Sequence, residues 1–377
     1  MISPRQNLLL CAISEQDADL FYATGFLAPD EFLYFEKKGR KYMAVSCLEY
    51  DRARATARVH KVINQTAWVE RLQRQSGKPV TAPQWISALL REHGIREASA
   101  PFSFPLGLAD GLRKHGIKIS VAKDGIFPGR AVKCRRETDA IRKSCMACAE
   151  IILLLIDRIR RARTGRGKRL MLDGKPLTSE RLRSLTRVEA VQRGYDGAHC
   201  IVAGGVQGCD PHERGHGPLR AGELIILDIF LRDLATGYWG DMTRTVLKGR
   251  ATGAQRRQFE TVRQAQKLAI SQVRAGVNGR QIHSNVEKLF AEKGYRTGMT
   301  KDGYEGFFHG TGHGLGLEIH EPPRLSKVDF RLQAGNVVTV EPGLYYRSVG
   351  GVRIEDVALV QKNGCQLLSN CPIQLEI

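Results

Sequence analysis

The chain has 377 residues, of which 42% are hydrophobic and 26% charged, and its formal net charge is +19. That length exceeds one typical hydrophobic core, so two domains are expected. The apolar runs are far shorter than the roughly 20 residues that cross a bilayer, and no N-terminal segment resembles a targeting signal. Because the nine cysteines are scattered, they suit a reducing compartment. We therefore expect a soluble cytoplasmic protein with no membrane partner.

Residues 1–130 are predicted to form a small α/β domain. Runs of apolar and β-branched residues predict strands, and a helical repeat of apolar residues that ends at a glycine predicts a helix. The strands fall at 31–36, 41–46 and 118–122, and the helix at 83–93. Gly125–Gly129 has the composition of a linker, and nothing in this domain carries recognisable chemistry.

Residues 131–377 are predicted to form an α+β domain with two similar halves, because helices precede strand-like segments twice. The helices are expected at 136–163, 179–192, 254–274 and 279–293. Residues 133–193 are strongly basic, with 17 Lys and Arg against 7 Asp and Glu. They form either a binding surface for a polyanion such as nucleic acid or a solvated surface, and the absence of interleaved aromatic residues favours the solvated surface.

Two aspartates lie on apolar segments on either side of a turn. Asp228 precedes the turn near Ala235–Gly237, and Asp241 follows it. A buried ionised carboxylate is costly unless it is paired or binds a metal. A hairpin would bring both carboxylates close enough to share an ion. The alternative for Asp241 is an ion pair with the nearby Arg244.

Three histidines, His309, His313 and His320, fall in one glycine-rich segment of a chain that has ten. The segment lacks the Gly-Lys-Ser/Thr of a phosphate loop, and its stretch Leu315–Ile319 is expected to be a strand. These histidines are either part of a functional site or ordinary core residues.

A third cluster contains Glu341 and Glu355, each set in an apolar, strand-like run. Arg353 lies two residues before Glu355, which predicts the same strand face for both. Four carboxylates and one histidine on inner strands indicate a site for two divalent cations. The oxygen-rich set without a thiolate favours Mn²⁺ or Co²⁺, with Zn²⁺ as a further candidate.

Two other motifs are not expected to bind metal. His212–His216 matches the His-Glu-x-x-His pattern of zinc proteases, but a preceding proline and an internal glycine exclude the helix that this pattern requires. Cys145 and Cys148 form a Cys-x-x-Cys pair within a predicted helix. Without a second pair they are interpreted as plain helix residues.

Together the clusters resemble the pita-bread metallopeptidases, which include methionine aminopeptidase, aminopeptidase P and prolidase. The resemblance covers the chain from about residue 135 to its end. Five ligands recur in order within their local contexts: Asp228, Asp241, His313, Glu341 and Glu355. Asp19–Phe26 resembles the creatinase-type N-terminal domain of the proline-specific branch. The resemblance implies a creatinase-like domain at 1–130, a pita-bread catalytic domain at 131–377, and a homodimer.

The resemblance also implies a role for each ligand. Asp228 would bind one metal through both oxygens, and Asp241 and Glu355 would bridge the pair. His313 and Glu341 would complete the second metal. The spacing of 13 residues from Asp228 to Asp241 is two longer than usual in the family. An even insertion keeps both side chains on one face.

Around the metals, the resemblance places His212 near the scissile bond and His320 at the carbonyl oxygen, with His309 and Arg353 along the pocket. A metal-activated hydroxide would hydrolyse the bond after the N-terminal residue of an Xaa-Pro peptide, with Glu341 as the proton shuttle.

Substrate length is left open between dipeptides and longer peptides. Arg324, shortly after His320, is the candidate for binding a dipeptide's free carboxylate, because a guanidinium forms two parallel hydrogen bonds to it. Its alternative role is that of a surface arginine after a Pro-Pro turn. The short loop from His320 to Val338 leaves little room for an extended subsite.

Two rival hypotheses concern catalysis itself. One is a non-catalytic pita-bread protein that binds a polyanion or a protein partner through its basic face. The other is a metal-free creatinase-like hydrolase. Both are disfavoured because all five ligands are present.

Overall fold

The computed structural model describes residues 7–123 and 125–377. The chain divides into two units, of which the first is Met1–Arg130. A six-stranded mixed sheet forms the centre of this first unit. The strands are β1 (Leu8–Ala12), β2 (Phe32–Lys37), β3 (Arg40–Val45), β4 (Lys61–Asn64), β5 (Glu97–Ala100) and β6 (Lys118–Val121). Their order is β4-β3-β2-β1-β5-β6. The pairs β1–β2 and β2–β3 are antiparallel, whereas β4, β5 and β6 join in parallel.

Helices pack on both faces of this sheet. Successive strand residues point to opposite faces, so Leu9 and Phe35 enter one apolar cluster while Leu10 and Tyr34 enter the other. The helices are α1 (Ala18–Thr24), α2 (Cys47–Thr56), α3 (Gln65–Ser76), α4 (Ala82–Glu92) and α5 (Leu106–Lys114). The unit is α/β as predicted, and the predicted strands and helix agree with the structure to within one or two residues.

The second unit, Ala131–Ile377, contains two helix-and-strand halves. In the first half the helices are α6 (Arg135–Arg161) and α7 (Ser179–Gln192). The strands are β7 (Arg163–Thr164), β8 (Leu170–Leu172), β9 (Lys175–Pro176), β10 (Tyr195–Asp196), β11 (Ile201–Gly204), β12 (Leu224–Asp233) and β13 (Trp239–Leu247). Both helices and the long β12–β13 hairpin share one apolar core. In the basic segment, the cations of residues 163–169 are exposed on the small β7-β8-β9 sheet.

The second half repeats this make-up with helices α8 (Gly253–Gln272) and α9 (Gly279–Glu292). Its strands are β14 (Gly298–Thr300), β15 (Gly303–Glu305), β16 (Gly312–Gly314), β17 (Glu321–Leu325), β18 (Val337–Val340), β19 (Gly343–Tyr346), β20 (Gly350–Arg353), β21 (Asp356–Gln361) and β22 (Gly364–Leu367). The main sheet has the order β17-β16-β18-β21-β22. Helices α8 and α9 share a core with it, so the predicted α+β class is confirmed.

Short 3₁₀ helices connect these elements at Pro128–Ala131, Arg166–Lys168 and Gly205–Cys209. Cys145 and Cys148 are buried residues of α6, as expected. Throughout residues 7–123 and 125–377, no helix has the length and apolar character needed to cross a membrane.

Two local expectations are wrong. Leu315–Ile319 is not a strand, because the chain bends after β16. There the Gly316 amide donates to the Glu318 carbonyl at 3.1 Å, and the Gly316 carbonyl accepts from the Trp239 amide at 2.9 Å. Residues 320–338 are not a plain loop either, since β17 lies within them and pairs with β16.

Candidate active site

Asp228 on β12 and Asp241 on β13 lie on the same face of one antiparallel hairpin. Asp228 is opposite Thr243, and Asp241 is opposite Phe230. Asp241 is therefore two residues along β13 from the position that faces Asp228. Directly opposed residues share a face, and so do residues two apart. The longer turn is closed by Asp233, whose Oδ1 accepts two backbone hydrogen bonds at 2.8 Å. The extra length therefore leaves the face alternation unchanged.

Helix α6 supports the strand that carries Asp241. Gly240 has no side chain, and a Cβ there would lie 2.2 Å from the backbone carbon of Ser144. The Ser144 hydroxyl donates to the Tyr238 carbonyl at 3.1 Å, and the Tyr238 hydroxyl donates to Glu137 at 2.6 Å. Backbone contact and two hydrogen bonds thus hold the hairpin against α6.

A buried donor cluster forms where the two halves of the unit meet. One ligand atom from each of Asp241, His313 and Glu355 lies within 4.8 Å of the others. His313 Nδ1 donates to the Gly314 carbonyl at 3.1 Å, which leaves Nε2 facing inward. Nε2 lies 3.2 Å from Glu341 Oε1 and 3.9 Å from Asp241 Oδ2. A backbone bond of this kind orients an imidazole for metal binding through its other nitrogen.

The electrostatics of the cluster fit divalent cations. Burial, together with the charges of neighbouring carboxylates, raises the pKa of Asp241 and of Glu355 well above their ordinary values. Burial also pushes the pKa of Glu341 upward, but the hydrogen bond and charge of His313 outweigh it and lower that pKa to about 2. Without a cation, the protonated forms of Asp241 and Glu355 are favoured, and a metal ion can take the place of those protons.

Asp228 is tied to this cluster through two side chains. Arg353 Nη2 donates to Asp228 Oδ2 at 2.6 Å. The Thr243 hydroxyl lies 3.0 Å from Asp228 Oδ1 and 2.7 Å from Glu355 Oε2. Asp228 is therefore beside the donor cluster, with both of its oxygens already hydrogen-bonded.

The alternative of an ion pair between Asp241 and Arg244 is not what the structure contains. Arg244 is buried and pairs with Asp356 at 2.7 Å. It also donates to the Glu355 carbonyl at 2.6 Å. Arg244 therefore fixes the backbone beside Glu355.

Glu341 and Glu355 occupy breaks between strands, although whole strands were expected there. Glu341 follows the end of β18, and Glu355 lies between β20 and β21. The Glu341 amide donates to the Thr311 carbonyl at 2.8 Å, and the Glu355 amide donates to the Thr243 carbonyl at 3.0 Å. These bonds come from neighbouring segments, so both carboxylates still point into one cavity.

All of the predicted site residues line a single cavity of about 700 Å³. These are His212, Asp228, Asp241, His309, His313, His320, Arg324, Glu341, Arg353 and Glu355. Apolar side chains that include Ile201, Phe230 and Phe308 complete the wall. The sequence interpretation of the His-Glu-x-x-His segment as non-helical is correct, and His212 projects into the cavity from this loop.

Two histidines of the cavity, His309 and His320, are neutral near pH 7. Burial lowers the pKa of His309 to about 4, and burial with the charge of His313 lowers that of His320 to about 4. The rings of His313 and His320 meet edge-on, with centroids 4.3 Å apart. His320 can therefore donate a hydrogen bond beside the predicted metal ligands without carrying a charge.

The sequence allows two interpretations of Arg324, as a ligand for a carboxylate or as a surface arginine after a Pro-Pro turn. The turn is not observed, because Pro322 and Pro323 lie with Arg324 on β17. Arg324 is directly opposite His313 in the ladder with β16. Its side chain is exposed and lines the cavity. Arg324 thus stands at the rim, on the side next to His320.

Tyr345 is a site residue that the sequence interpretation missed. Its buried hydroxyl accepts from Arg353 Nη1 at 2.9 Å and lies 2.8 Å from His309 Nε2. His309 Nδ1 donates to the Gly310 carbonyl at 2.8 Å, so Nε2 is the acceptor and the tyrosine is the donor. Its place four residues after Glu341 was visible in the sequence, but only the paired β19–β20 hairpin brings it to Arg353.

Comparison with known proteins agrees with this geometry. The profile of metallopeptidase family M24 matches residues 139–362. The chain is 30% identical over 282 residues to an Xaa-Pro dipeptidase of Pyrococcus horikoshii, covering 74% of this chain and 73% of that protein. The chain therefore belongs to metallopeptidase family M24, which confirms the resemblance to pita-bread metallopeptidases and does not support a non-catalytic protein.

Solved structures show the same fold over nearly the whole chain. An Xaa-Pro dipeptidase from Bacillus anthracis superimposes with a TM-score of 0.82 at 20% identity, covering 99% of this chain and 95% of that one. An X-Pro aminopeptidase from Thermotoga maritima superimposes with a TM-score of 0.81 at 21% identity, covering 99% and 98%. The fold is thus shared by proteins named Xaa-Pro dipeptidase and X-Pro aminopeptidase.

Proposed function

We propose that the chain is an Xaa-Pro peptidase that uses two divalent cations to hydrolyse the bond between an N-terminal residue and proline, preferably in dipeptides. The observation that carries this proposal is the inward-facing Nε2 of His313 among the carboxylates of Asp241, Glu341 and Glu355. The names of the similar proteins support the choice of Xaa-Pro peptides.

The metal pair would be held by the five predicted ligands. These ligands are Asp228, Asp241, His313, Glu341 and Glu355, of which Asp241, His313 and Glu355 lie close enough to share an ion. Mn²⁺ is the preferred ion because four of the five ligands are carboxylates, with Co²⁺ and Zn²⁺ as alternatives. When bound, such a pair lowers the pKa of a water molecule and polarises the scissile carbonyl.

The protein groups around the metals would handle the proton and the oxyanion. Glu341, ionised at neutral pH, would take the proton from the attacking water and deliver it to the leaving nitrogen. Neutral His320 would donate a hydrogen bond to the carbonyl oxygen as charge develops there. His212 would contact the substrate near the scissile bond. His309 and Arg353, joined through Tyr345, would keep the pocket wall rigid.

The preference for dipeptides is supported by Arg324. Its exposed guanidinium lines the cavity beside His320, where the carboxylate of a bound dipeptide would end. A bidentate pair would recognise that carboxylate.

The assay that tests the function compares Ala-Pro, Ala-Pro-Ala and Ala-Ala after reconstitution with Mn²⁺, Co²⁺ or Zn²⁺. We expect Ala-Pro to be hydrolysed fastest and Glu341→Gln to be inactive on every peptide. Elemental analysis should approach two ions per chain. Faster cleavage of Ala-Pro-Ala would move the protein to the aminopeptidase class, and failure to bind metal would refute the peptidase mechanism.

We also propose a cytoplasmic homodimer. The nine cysteines are all free thiols in the structure, which suits a reducing compartment. Light scattering during size exclusion would give the mass directly, and a monomer would contradict the proposal.

A further inference from the structure

A second cavity lies in the catalytic unit, outside the site described above. Its volume is about 420 Å³, and it shares no lining residue with the larger cavity. It is lined by the 3₁₀ helix that begins at Gly205, by the loop at His216 and by the turn that joins β19 to β20. Its size is within the range of about 300–1,000 Å³ that is usual for small-molecule sites.

Two oppositely charged residues line this cavity. They are Glu223 and Arg347. Neither forms an ion pair or a side-chain hydrogen bond with any residue in the part of the chain that the structure describes. In particular, the two do not contact each other. A third charge, Arg220, is already anchored, since its Nη1 donates to the Gly167 carbonyl at 2.6 Å.

The backbone around these groups is held in place. Gly205 has φ +61°, and a Cβ there would lie 2.6 Å from Glu223 Oε2, so only glycine lets the carboxylate rest against this loop. The Gln207 side chain clamps the backbone of His216 from both sides, accepting from its amide at 2.8 Å and donating to its carbonyl at 3.0 Å. The cavity therefore has a defined wall next to Glu223.

We propose that this cavity binds a free α-amino acid, with its ammonium group on Glu223 and its carboxylate on Arg347. Separated opposite charges on one small cavity match a ligand that carries both charges, and a guanidinium binds a carboxylate bidentately. The choice of an amino acid as ligand rests on the proposed function, because amino acids are the products of Xaa-Pro cleavage.

Two elements connect this second cavity to the active site. Gly350 lines the second cavity at the start of β20, and β20 ends at Arg353 in the first. The 3₁₀ helix begins at the second cavity and leads to Asp210 in the first. A Cβ on Gly351 would lie 1.8 Å from the Gly208 carbonyl, so the helix and β20 are in backbone contact. A bound amino acid would touch both elements.

Calorimetry on the Mn²⁺-loaded protein tests this binding without requiring turnover. L-alanine should bind the wild-type protein, and Glu223→Gln and Arg347→Gln should each weaken it by about tenfold or more. N-acetyl-L-alanine, which has only the carboxylate, should respond to Arg347→Gln and not to Glu223→Gln. L-alaninamide, which has only the ammonium group, should respond in the opposite way. A general folding defect would not produce this crossed pattern.

The matched controls are Arg135→Gln and Glu292→Gln, whose side chains are 96% and 65% exposed elsewhere on the same unit. They should bind L-alanine like the wild type. The second site is refuted if the wild type does not bind L-alanine, if the cavity variants bind it normally, or if only His320→Ala abolishes binding. A chain that shows the crossed pattern but cleaves no Xaa-Pro peptide refutes only the proposed function. A chain that cleaves these peptides without the pattern refutes only the second site.

Discussion

Arg353 donates to Asp228 across 2.6 Å, although the two residues are 125 positions apart. Both are buried, and the same guanidinium also donates to Tyr345. A buried carboxylate that neighbours other carboxylates needs such a partner to stay ionised. The pair thus gives a buried predicted metal ligand a charged hydrogen-bond partner and holds it in a fixed orientation.

Arg353→Gln should therefore weaken metal binding, by about 10- to 100-fold if it behaves like other groups that orient metal ligands. Titration of the metal-free protein with Mn²⁺ measures this directly. Arg263→Gln is the matched control, since its guanidinium pairs with Glu260 on α8, away from the cavity. Unchanged Mn²⁺ affinity in Arg353→Gln would show that the pair is not needed to orient Asp228.

His320→Ala should lower kcat more than it raises KM for Ala-Pro, because its hydrogen bond is strongest to the developing oxyanion. Loss of one oxyanion donor typically reduces kcat by about 10²–10³-fold. Steady-state kinetics with saturating Mn²⁺ separate the two constants. Wild-type kcat in this variant would refute the assigned role.

Arg324→Ala should raise KM for Ala-Pro and barely change the kinetics of the amidated peptide Ala-Pro-NH₂, which has no carboxylate to bind. Arg331→Ala is a suitable control, since its guanidinium donates to the Gly276 carbonyl and does not line the cavity. Equal losses on both peptides would assign Arg324 a structural role.

Glu137 gives a prediction about pH. Burial raises the pKa of this carboxyl, but hydrogen bonds from the Tyr238 hydroxyl and the Cys134 amide outweigh it and hold the pKa below its ordinary value. A lowered folded-state pKa stabilises the protein above the unfolded-state pKa, and that stability is lost as the pH falls through the folded-state pKa. The difference in the free energy of unfolding between wild type and Glu137→Gln, here called the stability gap, should therefore be largest at pH 7 and decrease at acidic pH.

Urea unfolding at pH 7, 5 and 4 would measure this gap. Tyr238→Phe removes the same hydrogen bond and should cost about 1.5–3 kcal/mol at neutral pH. Glu292→Gln, an exposed change at the end of α9, should show no such dependence. A gap that is constant with pH would contradict the role assigned to the ionised carboxylate.

Gly240→Ala should destabilise the catalytic unit, because the added methyl group would lie 2.2–2.4 Å from backbone atoms of Ser144 and Cys145 that cannot move independently. Overpacking of this kind costs about 1–3 kcal/mol. Since Asp241 is the next residue, Mn²⁺ affinity should fall as well. Gly298→Ala on β14 is the control, since a Cβ there meets nothing within 4 Å. Equal unfolding midpoints for the two variants would contradict the close contact with α6.

Local pattern was sufficient for much of this protein. The helices expected at 179–192, 254–274 and 279–293 agree with α7, α8 and α9 to within two residues, because helix formation depends on residues three and four positions apart. The common face of Asp228 and Asp241 followed from strand alternation despite the longer turn. The candidate ligands could be selected because a carboxylate or histidine within a buried apolar run is costly unless it is paired, hydrogen-bonded or bound to a metal.

Other features were decided only by the tertiary structure. Leu315–Ile319 has the composition of a strand, yet its hydrogen bonds with a distant hairpin bend it. Arg244 forms an ion pair with Asp356 and not with Asp241, although Asp241 is only three positions away in the sequence. Tyr345 and Thr243 contact site residues that are distant in the sequence: Tyr345 contacts His309, and Thr243 contacts Glu355. Such pairings depend on which segments the fold brings together, and local propensity does not contain that information.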